Sequence, residues 1–361
     1  MTVLRTVLGS SAVCAVVKAN GYGHGAVLAA QTLSDAGAAG LAVAIVDEGV
    51  ELRDANMTDP ILLLAETPSD TVRDALENSL TLTVGSLEGA HAVAEAARRL
   101  GGRNRVHLKV DTGMHRMGVD PREVGAVLDV LTSVPSVFVE GIYTHFASAD
   151  SSLAEDQDYC REQLRRFDDA VALAAASGVT PPIIHTANSA AALGIPASRR
   201  TMARVGLALY GHLPDPSLQS VLSERGLSLR PALSLHARVT AVRELDAGER
   251  PSYGRRRPLP ARGTVATVPF GYADGYPRRL FDAGAEVLIN GRRHPLAGTV
   301  TMDQLVVDCG DAPVRVGDPV VLLGTQGSES LTAETWAHWS STITWEILCG
   351  IGARVPRVVV D

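Results

Sequence analysis

Residues Ala12–Gly25 read AVCAVVKANGYGHG and contain the pattern that organises the first half of the chain. An apolar run over Ala12–Ala19 predicts a buried strand, and this run passes directly into a lysine and a glycine-rich loop. Continuous apolar strands are typical of parallel sheets that are covered on both faces. The stretch therefore predicts the first strand of an α/β fold, with Lys18 near the point where the strand ends.

Similar apolar runs recur up to residue 211. Many are followed by helical stretches such as Leu87–Leu100 and Ala154–Ala176, and in the second of these Leu164, Phe167 and Val171 recur on one helix face. Eight such units in this length predict a closed (β/α)8 barrel of the TIM type. The predicted strands are Ala12–Ala19, Gly40–Val46, Pro60–Glu66, Leu80–Ser86, Arg105–Asp111, Val137–His145, Ile183–Ser189 and Met202–Gly211.

The pattern changes after Gly211. A polar connection over Leu213–Arg230 precedes short alternating segments separated by Gly and Pro, and helix-period signals largely disappear. Such segments predict antiparallel strands. We therefore expect a barrel domain over 1–229 and a mainly antiparallel β domain over 230–361. The alternating segments are Leu235–Arg243, Thr264–Pro269, Glu286–Asn290 and Gln304–Val307.

Composition excludes several classes of protein. The chain is 46% hydrophobic and 20% charged, as expected for a globular protein rather than a disordered one. Its net charge of −7 argues against nucleic acid as a partner, and no apolar run reaches the roughly 18 residues that a membrane span needs. The N-terminus has no signal-peptide pattern, and four scattered cysteines fit reduced thiols better than disulfides or a zinc site. These features predict a soluble, cytoplasmic protein without a metal.

Lysine is almost absent from the chain. Of 33 basic residues only Lys18 and Lys109 are lysines, and the other 31 are arginines. A site that needs only positive charge is served by arginine, whereas an imine requires a primary amine. The two lysines are therefore candidate catalytic groups, and the alternative is that two surface lysines were retained by chance.

Polar residues cluster at the predicted strand ends, where barrels hold their active sites. Lys18 and Lys109 both lie at this mouth, and Ser189 and Gly206 follow the last two strands, where barrels commonly bind phosphate through hydroxyl and backbone N–H groups. A lysine that forms an imine beside a phosphate site indicates pyridoxal 5′-phosphate as the cofactor.

At this point the chain resembles a known family. The string AVVKANGYGHG is similar to the cofactor-lysine motif of bacterial alanine racemases, which are fold-type III pyridoxal-phosphate enzymes with a (β/α)8 barrel followed by a β domain. Further stretches resemble the family's other signatures in the same order along the chain. They are HLKVDTGMHRMGV, GIYTHFASAD, HTANSAA, ARVGLALYG, PSYGR, GYADGYPR, TMDQ and EILCGIGARVPR.

The resemblance implies two bases. Lys18 would bind the cofactor and serve one face of the substrate Cα, and Tyr253 would be the base on the opposite face. Racemisation removes a proton from one face and returns a proton to the other, which two opposed bases accomplish. Arg204 would lie against the pyridine nitrogen, where its permanent charge opposes protonation of that nitrogen, and His145 would link Arg204 toward Tyr253.

The resemblance also implies binding residues. Arg116 would contact the substrate carboxylate, which Met302 helps to orient, and Tyr272 would stand at the entrance. Lys109 matches a position that is carbamylated in many members, where the carbamate fixes Arg116. Tyr253, Tyr272 and Met302 would come from a second subunit, so the site would require a homodimer. The residues implied to hold the cofactor phosphate are Tyr22, Ser189, Gly206, Leu207 and Trp345.

Two features depart from the family. Only 17 residues precede Lys18, about twenty fewer than is usual, so we expect either a different start or a fold that lacks one strand. Trp345, in ITWEIL, occupies the position of a tyrosine whose hydroxyl normally contacts the cofactor phosphate. An indole N–H donates one hydrogen bond but is bulkier.

Several residues have alternative structural interpretations. His185 could be a hydrogen-bonded core histidine, and Arg204 could belong to a structural ion pair. Tyr272 could pack a strand end, Met302 could pack in the core, and Asp111 could cap or orient rather than react.

Three functions remain open from the sequence. The leading one is interconversion of L-alanine and D-alanine, which supplies D-alanine for peptidoglycan in the cell wall. The alternatives are racemisation of another small amino acid such as serine, and a cofactor-binding pseudoenzyme of the same fold. The presence of Tyr253 argues against the pseudoenzyme.

Overall fold

The computed structural model describes residues 1–360 and divides the chain into two compact units. The first unit is Met1–Arg230 and the second begins at Pro231. No helix in this range is both long and apolar enough to cross a membrane.

The first unit is a nearly closed barrel of eight parallel strands in the order β7-β6-β5-β4-β3-β2-β1-β8. The barrel closes where β8 meets β7, because Thr201 N–H donates to the Ile184 carbonyl and Arg204 N–H donates to the Ala187 carbonyl. This architecture confirms the predicted (β/α)8 fold. The strands are β1 (Ala12–Val16), β2 (Gly40–Val43), β3 (Ile61–Glu66), β4 (Thr81–Val84), β5 (Asn104–Lys109), β6 (Val137–Tyr143), β7 (Ile183–His185) and β8 (Met202–Val205).

Helices cover the outside of the barrel. Their buried positions recur at helical spacing, as at Ala90, Val93, Ala94 and Ala97 on the helix Leu87–Leu100, which Ser86 caps by accepting the Gly89 N–H. Apart from Lys18–Tyr22, a helical segment whose backbone is left-handed, the α-helices of this unit are Thr2–Leu8, Ala26–Asp35, Val46–Asp54, Val72–Glu77, Leu87–Leu100, Val124–Thr132, Ala154–Ala176, Ser189–Gly194 and Leu218–Ser223.

The residues that precede β1 form one helix, Thr2–Leu8. Its Leu4, Val7 and Leu8 are buried in a cluster that also includes Leu218 and Leu222, from the segment that links the two units. The first helix and the connecting segment therefore share one apolar core with the end of the barrel.

The second unit contains two antiparallel sheets. One has the order β10-β11-β14, and in the other β13-β12-β15-β16 are neighbours and β9 pairs with β15. Two helices follow the last strand, Ala333–Trp339 and Thr344–Cys349. The strands are β9 (Leu235–Arg238), β10 (Ala241–Leu245), β11 (Gly263–Val268), β12 (Glu286–Ile289), β13 (Arg292–Pro295), β14 (Leu305–Gly310), β15 (Pro319–Gln326) and β16 (Glu329–Leu331).

The second unit differs from the sequence-based expectation at two places. The alternating segment Leu235–Arg243 is not one strand, because it is interrupted at Val239 and Thr240 and its two halves join different sheets. The two C-terminal helices were not expected, because seven and six residues are too few to establish a helical period.

Candidate active site

The barrel strands place nine of the predicted site residues at one end. Parallel strands around a barrel share their carboxyl end, so residues at or just after those ends form one mouth. These residues are Lys18 and Tyr22 after β1, Lys109 and Arg116 with β5, His145 after β6, Ser189 after β7, and Arg204, Gly206 and Leu207 with β8.

Lys18 begins a turn whose following residues have left-handed backbone conformation. Ala19, Asn20 and Gly21 have φ values of 53°, 53° and 61°, and Tyr22 has a φ of 54°. This region costs residues other than glycine about 1–2 kcal/mol each. Strained backbone of this kind persists only where surrounding contacts determine it, and it is concentrated at functional sites.

Arg204 is buried and surrounded by neutral acceptors. Its Nη1 donates to His185 Nδ1 at 2.9 Å, and its Nη2 donates to the Thr144 carbonyl at 2.8 Å and to His145 Nδ1 at 3.1 Å. Within residues 1–360 no carboxylate pairs with Arg204, so the structural ion pair does not form, and its Nε–H contacts no acceptor. One donor of a fixed positive charge is thus left for a ligand.

Arg204 fixes the tautomers of a line of buried histidines. A guanidinium only donates, so His185 Nδ1 must accept and His185 Nε2 must carry the proton. That proton faces His107 Nδ1 at 2.9 Å, which leaves His107 Nε2 protonated and 3.5 Å from a carboxylate oxygen of Glu140. Burial lowers the pKa of both histidines, and both are therefore neutral. His185 is thus a hydrogen-bonded histidine that supports Arg204.

His145 is held as a neutral donor. Burial, followed by the charges of Arg204, Lys109, Arg116 and Lys18, lowers the pKa of His145 well below its usual value. Because its Nδ1 accepts from Arg204, its proton is on Nε2. His145 can therefore donate a hydrogen bond to a second group but does not itself carry charge.

Lys109 is a buried amine among cations. Burial first, and then the charges of Arg204 and Arg116, lower its pKa from 10.5 to about 8. Its Nζ lies 5.6 Å from the centre of the Tyr143 ring. Close to neutral pH a useful fraction of this amine is unprotonated, which is the state that reacts with an electrophile.

Tyr22, Ser189 and Gly206 meet at one point of the mouth. Ser189 Oγ accepts from Gly206 N–H at 3.0 Å and from Ala208 N–H at 3.4 Å. A Cβ placed on Gly206 would lie 2.3 Å from the Tyr22 hydroxyl, so only glycine fits there. Because Ser189 Oγ accepts from these two amides, its O–H can donate, and it lies with the Tyr22 hydroxyl at a strand end that suits a phosphate.

Arg116 lies exposed on the loop after β5. Asp111 shapes this loop, because its Oδ1 accepts from Gly113 N–H at 2.9 Å and from His115 N–H at 3.0 Å. Asp111 therefore caps the loop, as one interpretation of the sequence had it.

Tyr253 lies in the second unit with 74% of its surface exposed. Its loop is fixed to a neighbouring segment, because Thr299 Oγ1 donates to the Tyr253 carbonyl at 2.9 Å and Ser252 Oγ donates to the Thr299 carbonyl at 2.5 Å. The tyrosine ring is thus presented outward on a fixed backbone.

Tyr272 and Met302 lie on two loops that are bonded together. Tyr272 N–H donates to the Thr301 carbonyl and Ala273 N–H donates to the Met302 carbonyl, both at 3.0 Å. Both side chains are exposed, so neither packs in the core of this unit. The interpretation of Met302 as a core-packing residue is therefore wrong for the isolated chain.

Arg354 connects the same two loops. Its Nε donates to Asp274, two residues after Tyr272, at 2.5 Å, and its Nη2 donates to Asp303, the residue after Met302, at 2.8 Å. Trp345, the remaining predicted site residue, is half-buried on the helix Thr344–Cys349.

Sequence reasoning missed the residues that support the site. His107 was detectable, because it lies two residues before Lys109 on β5 and therefore faces the same side of the strand. Glu140 on β6 gave no such signal, and Arg354 lies in the quoted stretch EILCGIGARVPR but was assigned no role, since each acts through partners that are distant in sequence.

Comparison with known proteins identifies the family over both units. The model of the alanine racemase N-terminal domain matches residues 1–214, and that of the alanine racemase C-terminal domain matches residues 232–359. An alanine racemase of Symbiobacterium thermophilum is 45% identical over 355 residues, which cover 98% of this chain and 92% of the relative. One of Desulforamulus reducens is 44% identical and covers 96% and 92%.

Solved structures agree with this result. Alanine racemase from Streptomyces lavendulae is 39% identical with a TM-score of 0.92, covering 99% of this chain and 93% of that one. Alanine racemase from Bacillus anthracis, solved with bound L-Ala-P, is 36% identical with a TM-score of 0.91 and covers 99% and 92%. The family models span most of the chain and the relatives nearly all of it, and the chain therefore belongs to the alanine racemase family of isomerases.

Proposed function

We propose that this chain interconverts L-alanine and D-alanine with pyridoxal 5′-phosphate, using Lys18 and Tyr253 as bases on opposite faces of the substrate Cα. The observation that carries the proposal is the arrangement at the barrel mouth. Lys18 begins a left-handed turn that ends at Tyr22, and Tyr22 meets Ser189 and Gly206. Arg204, at the end of β8, keeps an Nε–H without an acceptor. Relatives named alanine racemase support alanine as the substrate.

The residues present fit this cofactor. The cluster of hydroxyls and amides at Tyr22, Ser189, Gly206 and Leu207 would hold its phosphate, with Trp345 as the further contact that the family alignment implies. The Arg204 Nε–H would donate to its pyridine nitrogen, and Lys18 would supply the amine that binds its aldehyde. When bound, pyridoxal phosphate supplies an electron sink that acidifies the substrate Cα–H.

Arg204 would limit how strongly the bound cofactor withdraws electrons. A guanidinium stays protonated in proteins, so a ring nitrogen that accepts its hydrogen bond is discouraged from gaining a proton of its own. The cofactor ring, with its nitrogen unprotonated, would then withdraw less of the negative charge from the substrate Cα. Reprotonation at Cα by one of the two bases is favoured over side reactions elsewhere.

Proton transfer uses the two faces separately. Lys18 would take or return the proton on one face, and Tyr253 would do so on the other, with the His145 Nε2–H directed at the Tyr253 oxygen. We place Tyr253, Tyr272 and Met302 in the site of a second copy of the chain, as a homodimer. The outward exposure of all three side chains in the isolated chain supports this arrangement.

The substrate carboxylate would be held by Arg116, oriented by Met302, with Tyr272 at the entrance. We propose that Lys109 is carbamylated. Its pKa of about 8 leaves a fraction of the amine neutral, and only a neutral amine adds carbon dioxide. The product carries negative charge, which offsets the surrounding cations and gives Arg116 an anionic partner.

Chiral analysis of the product tests the function. Purified chain with pyridoxal phosphate is incubated with L-alanine and, separately, with L-serine, and Lys18→Arg serves as a control that keeps the charge but lacks the reactive amine. We expect D-alanine to accumulate to an equal mixture, with serine much slower. Faster turnover of serine would assign the alternative substrate, and turnover of neither would indicate a pseudoenzyme. Supply of D-alanine for peptidoglycan and a cytoplasmic location remain predictions of the sequence.

Attachment of the cofactor has its own test. Borohydride fixes the pyridoxyl group on the lysine that carries it, and this chain offers only Lys18 and Lys109. Peptide mapping should find the group on Lys18. A pyridoxyl group on Lys109 would contradict the assignment of both lysines.

A further inference from the structure

Glu48 joins two loops at the mouth of the barrel. It lies in the first turn of the helix Val46–Asp54, which follows β2, and its Oε1 accepts from Ala19 N–H at 2.6 Å. Its Oε2 accepts from Ala44 N–H at 2.7 Å and from Ile45 N–H at 3.4 Å. One carboxylate thus connects the residue next to Lys18 with the loop at the end of the neighbouring strand.

The backbone that Glu48 contacts needs outside support. Four residues in succession, Ala19 to Tyr22, are left-handed, and only Gly21 among them lacks the side chain that makes this region unfavourable. Within the segment, the turn is connected to the start of the following helix, because Asn20 Oδ1 accepts from Ala26 N–H at 2.8 Å. The near end, directly beside Lys18, is held from another element by Glu48.

We propose that Glu48 is a positioning residue, whose carboxylate fixes the left-handed turn that directs the Lys18 amine and the Tyr22 hydroxyl at the cofactor. The inference rests on the proposed function, because it takes Lys18 as the residue that binds pyridoxal phosphate. Glu48 itself contacts backbone amides and takes no part in proton transfer.

The arrangement requires a carboxylate. Three N–H donors converge on two oxygens, so both oxygens must accept. A glutamine of the same size has one accepting oxygen and one donating nitrogen. In Glu48→Gln the amide nitrogen faces either Ala19 N–H, which loses one contact, or Ala44 N–H and Ile45 N–H, which loses two. Donor then faces donor, while packing volume is preserved.

The matched control is Glu51→Gln. Glu51 lies on the same helix, three residues further along, and is exposed to solvent. The change removes the same charge without touching the Lys18 turn.

The experiment compares wild type, Glu48→Gln and Glu51→Gln by two measurements. The first is equilibrium titration with pyridoxal phosphate, followed by its visible absorbance. The second is amide hydrogen exchange, by mass spectrometry of the peptide that contains Val17–Tyr22, in the chain without cofactor. We expect Glu48→Gln to weaken cofactor binding roughly tenfold to a hundredfold, the range for a lost hydrogen bond to a charged group, and to speed exchange in that peptide. Glu51→Gln should match wild type in both.

Unchanged affinity, or weaker affinity without faster exchange in the Lys18 peptide, would overturn the proposal. If wild type itself fails to bind pyridoxal phosphate, the proposed function falls, and the exchange comparison then separately decides whether Glu48 holds the turn. Should Glu48→Gln not fold, Glu48→Asp replaces it, because aspartate keeps the charge but is one methylene too short to span both loops.

Discussion

At the scale of single residues, Arg204 and Lys109 illustrate two ways of keeping a cation buried. Arg204 spreads its charge over carbonyl and imidazole acceptors and stays protonated. Lys109 has a titratable amine, and its pKa falls to about 8 instead. The first behaviour suits a fixed charge beside a ring nitrogen, and the second suits an amine that is to be modified.

Lys109 should therefore destabilise the chain at neutral pH when it is unmodified. In the unfolded chain the amine keeps its proton up to about pH 10.5, whereas in the folded chain it loses the proton near pH 8. Between pH 8 and pH 10.5 the unfolded state binds more protons than the folded state, so the free energy of unfolding rises with pH. Below pH 8 the amine is protonated in both states, and the full cost of burying its charge is present.

Lys109→Met should accordingly raise the free energy of unfolding at pH 7 by an amount on the order of 3 kcal/mol at most, and the gain should shrink as pH approaches 10.5. Urea unfolding of the cofactor-free chain in buffers without carbon dioxide measures this difference at pH 7 and pH 10. Arg98→Met, on an exposed helix surface, should show no pH-dependent difference. If Lys109→Met raises the free energy of unfolding equally at pH 7 and pH 10, the pKa of Lys109 is not lowered in the folded chain.

Most of the proposed reactive residues could be predicted from the sequence, but few of the residues that position them through hydrogen bonds could. Lys18 was recognisable because lysine is so rare in this chain. Glu48 and Gln163 were not, because their partners are backbone groups of other segments. The Gln163 side chain, fully buried on the helix Ala154–Ala176, donates to the His145 carbonyl and accepts from Ala147 N–H. Contacts of this kind depend on the folded geometry.

At the scale of elements, the glycine after β8 controls the predicted phosphate site. Gly206→Ala would place a Cβ 2.3 Å from the Tyr22 hydroxyl and 2.8 Å from its ring carbon Cζ, so the tyrosine must move. We expect affinity for pyridoxal phosphate to fall by at least about tenfold, with a loss of stability of about 1–3 kcal/mol from overpacking.

Titration with the cofactor and thermal unfolding measure both effects. The control is Gly125→Ala on the helix Val124–Thr132, where a Cβ would approach nothing closer than 3.8 Å and alanine favours the helix. Equal cofactor affinity in wild type and Gly206→Ala would show that the strand end is not the phosphate site.

A second element-scale prediction concerns the two loops of the second unit. Arg354→Gln would remove the ion pairs to Asp274 and Asp303 that connect the loops of Tyr272 and Met302. If those side chains contact substrate, we expect KM for alanine to rise several-fold with a smaller change in kcat, because positioning of the carboxylate is lost.

Steady-state kinetics in both directions check this expectation. Arg262→Gln is the control, since Arg262 also pairs with two acidic groups of the second unit, Glu244 and Asp246, but neither belongs to the loops of Tyr272 and Met302. Its kinetics and stability should stay close to wild type. A change in KM that is the same in both variants would argue against a specific role for Arg354.

Element boundaries show where sequence patterns fail. Predicted β1 extended to Ala19, but the strand ends at Val16, because the apolar run continues into residues that turn toward the mouth. Predicted β8 extended to Gly211, whereas Leu207–Tyr210 form a 3-10 turn that is also apolar and has three of its four residues buried. Hydrophobicity reports burial, and at the carboxyl end of a barrel buried loops and buried strands have the same composition.

At the scale of the whole molecule, charge is distributed unevenly. The chain has a net charge of −7, yet the ionisable groups that shift the pKa of His145 are all cationic: Arg204, Lys109, Arg116 and Lys18. Because the mouth is cationic and the protein as a whole is anionic, a phosphate-bearing cofactor and a carboxylate substrate are attracted to the mouth more than to the rest of the surface. The same concentration of charge explains why a carbamate at Lys109 would be favourable there.

The central claim is that each active site combines Lys18 of one chain with Tyr253 of another. Lys18→Ala and Tyr253→Ala proteins, each inactive alone, are mixed under conditions of verified subunit exchange, and D-alanine formation is followed by chiral analysis. Half of the sites are intact in a hybrid dimer, and hybrids form half of a random mixture, so we expect about a quarter of wild-type activity to return. No recovery after verified exchange would contradict a site shared between two chains.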